Sequence, residues 1–165
     1  MIKTAEVATC VVVYNSPLSR LAAIETYRMQ VDKFYIIDNS EGARTGLANH
    51  LMGLPDVVYL TNGKNEGIAS ALNWAASEAV AAAHSIEKGK VPREGSYRKV
   101  LFMMTSGNLL SLAVYRQAGP FRADSFTNHV DHDYGLRINQ AQFEVLELPY
   151  LELIRQSGKR RKLAG

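Results

Sequence analysis

Three short apolar runs, each closed by a cluster of polar turn residues and each followed by helical spacing, constrain this chain more than any other feature. Residues 7–14 form a continuous β-branched run that stops at Asn15-Ser16-Pro17. Residues 34–37 stop at Asp38-Asn39-Ser40, and residues 57–60 run into TNGKNEG. A run without polar alternation reads as a strand buried on both faces, and the first of them is expected to be central in its sheet. After it, Leu18, Leu21, Ala22, Ala23, Ile24, Tyr27 and Met29 recur at helical spacing, with Ser16 available as a cap and Pro17 at the first turn. A weaker helix follows around residues 47–51. The most regular one covers residues 68–83, with Ile68, Ala71, Leu72, Ala75, Ala79, Val80 and Ala83 along one side, mostly small enough for close packing on a sheet. Strand and helix in alternation imply an α/β fold with a mainly parallel sheet flanked by helices.

The remainder is less regular. Residues 86–99 are polar and contain glycine, and are expected to be loop. Residues 100–104 read as a fourth strand, followed by Thr105-Ser106-Gly107-Asn108, an amphipathic segment at 109–117 and the turn AGPF. FTNHVDHDYGLRINQ reads as loop into helix, and residues 143–148 as a last strand. No repeat or linker divides the chain, so residues 1–165 are taken as one domain with 158–165 a flexible basic tail.

Composition narrows the classes. A chain of 165 residues buries roughly two-thirds of the surface it exposes when unfolded. With 47% hydrophobic and 21% charged residues it matches an ordinary globular protein rather than a disordered one. Much of the net charge of +3 sits in GKRRK near the end, a solvated run rather than a nucleic-acid surface. The single cysteine, Cys10, lies in an apolar strand, where it forms no intrachain disulfide and acts as a small hydrophobe, consistent with a reducing compartment. The first apolar run is too short to span a membrane and lacks a signal peptide's cleavage site. A cytoplasmic protein, at most working at the inner face of a membrane, is the expectation.

In a parallel sheet, ligands bind beyond the carboxyl ends of the strands. Tyr14, Asn15 and Ser16 close the first strand and Asp38, Asn39 and Ser40 the second, so both clusters belong on that edge. Asp38 there either accepts hydrogen bonds from a nucleobase or ribose, or caps its own loop. Asn62, Asn65 and Gly67 occupy the third strand's edge. Gly67 allows close backbone approach and the helix start favours an anion such as a nucleoside diphosphate, while Asn65 has an ordinary role as a cap. Asp131 and Asp133 flank His132 near His129, a set suited to a metal, to a general base, or simply to the start of a helix, where the two carboxylates would spread apart.

In sequence order these segments resemble the family-2 glycosyltransferases of the GT-A, Rossmann-like fold, and among them the rhamnosyltransferase-like group. VVVYNSPLSRL is similar to the family's opening strand and loop, YIIDNSEG to its nucleoside-binding segment and NGKNEGIASALNWA to its helix entrance. MMTSGNLLSLAVYRQAGPF with FTNHVDHDYGLR is similar to the acceptor-side half. The resemblance implies that Tyr14, Asn15 and Asp38 contact the nucleoside with Asn65 and Gly67 nearby, and that Gly107, Asn108 and Asp133 shape the sugar or acceptor pocket. Asp131 takes the place of the base that deprotonates the acceptor hydroxyl. The partners implied are a nucleotide sugar or nucleoside diphosphate and a saccharide acceptor, with no nucleic acid.

The chain also departs from the family. No strand ending in a DxD motif follows the long helix: HSIEKGKVPREGSY holds Glu87 and Glu94 but no Asp-x-Asp. The fold is therefore expected to be truncated by an internal deletion. The divalent cation usual in the family, manganese or magnesium, loses its ligands, and no metal residue is assigned. Arg155 stands where the resemblance places a histidine ligand; it cannot ligate a cation but supplies positive charge beside a diphosphate. Removing a central strand leaves open edges. Residues 100–104 moving in, or a second copy in a homo-oligomer, would cover them. Two functions follow: hexosyl transfer, rhamnosyl among the candidates, from a nucleotide sugar to a saccharide, or a catalytically impaired nucleotide-binding remnant that assists glycan synthesis.

Overall fold

The structure, a computed structural model, describes residues 8–42, 46–82, 97–102, 104, 108–125 and 129–149. β1 (Ala8–Val13), β2 (Lys33–Asp38) and β3 (Val57–Thr61) form a parallel sheet in the order β1-β2-β3. Val13 lies opposite Asp38, and Asp38 opposite Thr61, so the strands end level. That shared edge gathers the polar loops.

Side-chain alternation along β2 divides the core. Phe34 and Ile36 join Ile24 of α1 (Leu21–Arg28) and Leu47 and Leu51 of α2 (Gly46–Met52) on one face. Tyr35 and Ile37 pack with Ala71 and Ala75 of α3 (Gly67–Ala82) on the other. Each fully buried Ile or Phe is worth about 1.5–3 kcal/mol of hydrophobic stabilisation. The result is an α/β arrangement, a three-stranded parallel sheet flanked by helices, compatible with a Rossmann-like fold. No helix among the described residues is long and apolar enough to cross a membrane.

The expectation that the first strand is central is corrected. β2 is central, and among the described residues β1 pairs on one side alone. β1 is uniformly apolar because helices cover both of its faces, and face burial is independent of the number of hydrogen-bonded neighbours. Ser16 does not cap the first helix either. A 3₁₀ turn (Leu18–Arg20) leads into α1, and its cap is Pro17, with φ −73° and ψ 157° and no side-chain bond. Proline's preset φ suits that extended cap conformation.

α3 carries a second apolar stripe. Ala69, Leu72, Ala76 and Val80 face a cluster built from Tyr115 of α4 (Leu112–Ala118), Phe121, and Val130, Tyr134 and Ile138 of α5 (Val130–Gln140). Alanines at 71 and 75 toward the sheet, and at 69 and 76 toward α5, let one helix serve two cores. Its buried residues, Gly67, Ala69, Ala71 and Ala75, thus lie toward the start of the helix, between two layers.

The expected fourth strand at 100–104 is also corrected. The strand observed is β4 (Arg98–Val100), which pairs antiparallel with β5 (Val145–Glu147) in a separate two-stranded sheet. It does not fill a place beside β1. Arg98 and Lys99, expected in loop, form its first residues, while the rest of that loop, 86–96, lies outside the described residues. After Val100 the chain crosses α5 at Gly135. A Cβ built there would lie 2.6 Å from Phe102 Cα, so only glycine admits the crossing without displacement. That contact carries Leu101 and Phe102 over a helix instead of along a sheet.

Candidate functional site

The site begins at the level ends of the parallel strands. Asp38, 6% exposed, accepts 2.8 Å from the Ser40 amide through Oδ1, and from the Tyr59 hydroxyl through Oδ2. Its main-chain oxygen accepts from Thr61 Oγ1 at 2.9 Å. The loop-capping role foreseen for Asp38 is therefore present, and a carboxylate with one bond to each oxygen retains a further lone pair on each. Tyr59 on β3 secures the carboxylate from the neighbouring strand.

Asn39 joins all three loops. Its amide donates to Val13 O at 2.9 Å, and its Nδ2 donates to Gly67 O at 3.0 Å. Asn15, with φ 47°, donates its amide to Ser40 Oγ at 2.7 Å. Asn65 Oδ1 accepts from the Gly67 amide at 3.2 Å, the capping interaction at the start of α3. Gly67 has φ 83° and is buried, so the backbone turns from loop into helix in a conformation that side chains resist. Tyr14, 51% exposed, stands at the same edge with Asn15. Tyr14, Asn15, Asp38, Asn65 and Gly67 are thus assembled at one edge, linked through Asn39 and Ser40.

The acidic segment starts α5. Its cap is His129, in the left-handed region at φ 59° without a side-chain bond, and Asp131 and Asp133 occupy the first turn, favourably placed for the helix dipole. The two carboxylates diverge. Asp133 Oδ2 accepts from Arg137 Nε at 3.1 Å and Oδ1 lies 3.8 Å from Arg122 Nη1. Asp131 Oδ1 accepts from the His132 amide at 3.0 Å and lies 3.1 Å from His132 Nδ1. Asp133 is consequently tied into an arginine pair, whereas Asp131 keeps its second oxygen uncommitted among the described contacts. Val130 at this turn and Ala69 in the first turn of α3 belong to one cluster, which brings the starts of α3 and α5 to the same core.

Other expected residues fall elsewhere. Asn108 is exposed, and Gly107 and Arg155 lie outside the described residues. A recess of about 180 Å³ between β1 and α1, walled by Val11, Val13, Ser16, Arg20 and Ile24, is smaller than usual ligand pockets of about 300–1,000 Å³ and includes none of Asp38, Asn65 or Asp131. No group of three or more His, Cys, Asp or Glu side chains among the described residues is arranged to hold a metal ion. Residues 83–96 and Arg155, where the resemblance places the cation ligands, lie outside the described residues.

No protein-family model, no curated protein and no solved structure matches the chain. The glycosyltransferase resemblance accordingly rests on its motifs and their order.

Sequence reasoning missed three structural contributors. Asn39 reads in the sequence as a turn residue, and its long-range bonds to Val13 and Gly67 carry no local signal. Tyr59 falls inside the apolar run 57–60, which carries no signal that sets it apart. Asn73 lies within the helix read at 68–83 but off its apolar side, and its Oδ1 accepts from the Phe121 amide at 2.7 Å and the Tyr115 hydroxyl at 3.2 Å, while its Nδ2 donates to Phe121 O at 2.8 Å. It fastens α3 to the turn that leads toward α5.

Proposed function

We propose that this chain is a glycosyltransferase of the family-2, GT-A type that takes a nucleotide sugar at the carboxyl edge of its parallel sheet and transfers the hexosyl group to a saccharide hydroxyl. The observation that carries this reading is the mutual bonding of the three edge loops through Asn39 and Ser40, which pre-orders Asn15, Asp38 and Gly67 before any ligand arrives. Preordering matters because loops that are already fixed lose little entropy on binding. Exposed Tyr14 offers a ring for the base, and the remaining Asp38 lone pairs accept from base or ribose donors.

Asp131 serves as the base in this scheme. The acceptor O–H proton passes to its carboxylate as the acceptor oxygen bonds to the anomeric carbon. The bond from that carbon to the diphosphate oxygen breaks, and its electron pair leaves with the nucleoside diphosphate. No step is assigned to a metal. Gly67 and Asp131 are distant in sequence, but the shared cluster of Ala69 and Val130 sets the starts of their two helices against one core.

Asp131→Asn should lower transfer by about 10²–10⁴-fold while nucleotide binding persists. Radiolabelled or mass-resolved sugar transfer, run over a panel of uridine, thymidine and guanosine diphosphate sugars, checks this. Unchanged transfer in that variant would remove the mechanism. A second reading is favoured by the missing Asp-x-Asp between residues 83 and 97: nucleotide binding without transfer, in support of another transferase. It predicts ligand-dependent thermal stabilisation and no glycosylated product with any donor.

A further inference from the structure

His132 is the feature near Asp131 that neither the motif resemblance nor the fold explains. Its ring lies 4.3 Å from the Phe102 ring, tilted by 48°, and 5.6 Å from the ring of His129. The side chain as a whole is 43% exposed, yet Nδ1 is sealed from solvent and has no well-directed hydrogen bond. The nearest charged atom is Asp131 Oδ1, 3.1 Å away. Asp133, the other carboxylate of this turn, is engaged by Arg137 and Arg122.

Electrostatics decides the proton's position. A bare nitrogen lone pair, itself sealed from water, 3.1 Å from an oxygen of a carboxylate that is only 17% exposed would repel it with little compensation. With a proton on Nδ1 the same contact becomes attractive. Phe102 limits the ring's freedom from one side, and Gly135 is what allows the Phe102 backbone to come so close to α5.

We propose that His132 is a positioning residue for Asp131: its Nδ1–H holds Oδ1 of the carboxylate, leaving Oδ2 directed to receive the acceptor's proton. The imidazole touches neither sugar nor nucleotide in this role. The catalytic half of the inference rests on the reading of Asp131 as the base; the Nδ1–H contact stands on geometry alone.

The test uses the full chain and two separable readouts. Nitrogen-resolved NMR of the imidazoles should find the neutral tautomer of His132 with its proton on Nδ1, and that preference for Nδ1 should weaken in Asp131→Asn, where the facing carboxylate is gone. A proton on Nε2 in the unaltered chain overturns the contact, whether or not transfer is ever detected. Initial-rate kinetics then reads the role: His132→Phe keeps a ring against Phe102 but removes the donor, and should lower kcat on the order of tenfold with KM nearly unchanged. His132→Asn, whose amide nitrogen falls close to the place of Nδ1, should recover most of that loss. Equal losses in both variants would overturn positioning. Full transfer in Asp131→Asn would instead sink the base assignment, leaving the NMR result to stand for the contact.

Discussion

The parallel half, β1 to α3, and the half from β4 to β5 are held by different means. In the first, strands pair in continuous register and alternate their side chains between two apolar clusters, so order follows from periodic hydrophobicity. In the second, two three-residue strands pair with each other, and much of the arrangement depends on single residues: Asn73, Arg137 and Gly135. Arg137 alone reaches Asp133, Ala118 O and Pro120 O, while its guanidinium lies 5.0 Å from the Tyr134 ring. A periodic architecture tolerates the loss of any one polar contact. An architecture of individual contacts does not.

That contrast can be broken at its strongest point first. Ile36→Ala removes a fully buried side chain from the middle strand and should cost about 2–5 kcal/mol, measured by denaturant unfolding. A smaller loss than in any second-half variant would invert the comparison. Gly135→Ala comes next: the new methyl meets the Phe102 backbone and should cost about 1–3 kcal/mol, less the gain in helix propensity. Hydrogen exchange should localise its effect to α5 and β4 and spare β2.

Asn73→Ala leaves the main-chain N–H and C=O of Phe121 without their partner, at a cost of about 1–3 kcal/mol. Faster exchange in α4 and α5, with β2 protected, is the expected pattern; uniform loss would show that α3 makes both halves one cooperative unit. The last effect is absent near neutral pH and appears only in alkali. Burial pushes the Cys10 thiol from 9.0 up to about 12 and the Tyr134 phenol from 10.0 up to about 12. Between those limits the unfolded chain releases protons that the folded chain keeps, so stability, unaffected below about pH 9, falls as pH rises toward 12. Thermal midpoints recorded from pH 7 to 11 check the direction, and Cys10 should resist alkylation in the native state.

The same contrast explains what could be read from the residues alone. Residues 34–37, 57–60 and 68–83 announced β2, β3 and α3 because burial imposes a period on the sequence. The centrality of β1 was not legible, since apolar faces say nothing of which edges are paired. Residues 100–104 misled for a related reason. Leu101 and Phe102 are as apolar as a strand requires, but Gly135, more than thirty residues later, gives that segment a helix to lie across. At the site, Asp38, Asn65 and Gly67 were recognisable from turn chemistry, whereas Asn39's bridge to Gly67 joins residues distant in sequence and becomes visible only once three strands end level. The split fate of Asp131 and Asp133 was foreseeable as a helix start, but not the arginines that occupy Asp133.

A nucleotide held by loops that bond one another is what the rest depends on, and Asn39 is the place to strike it. Isothermal titration of the intact chain with nucleoside diphosphates and their sugars, against Asn39→Ala and Asp131→Asn, separates the two halves. Saturable binding that is weakened at least tenfold by Asn39→Ala and left nearly unchanged by Asp131→Asn is the predicted result. Heats indistinguishable from dilution for every nucleotide, or equal affinity in Asn39→Ala, would contradict it.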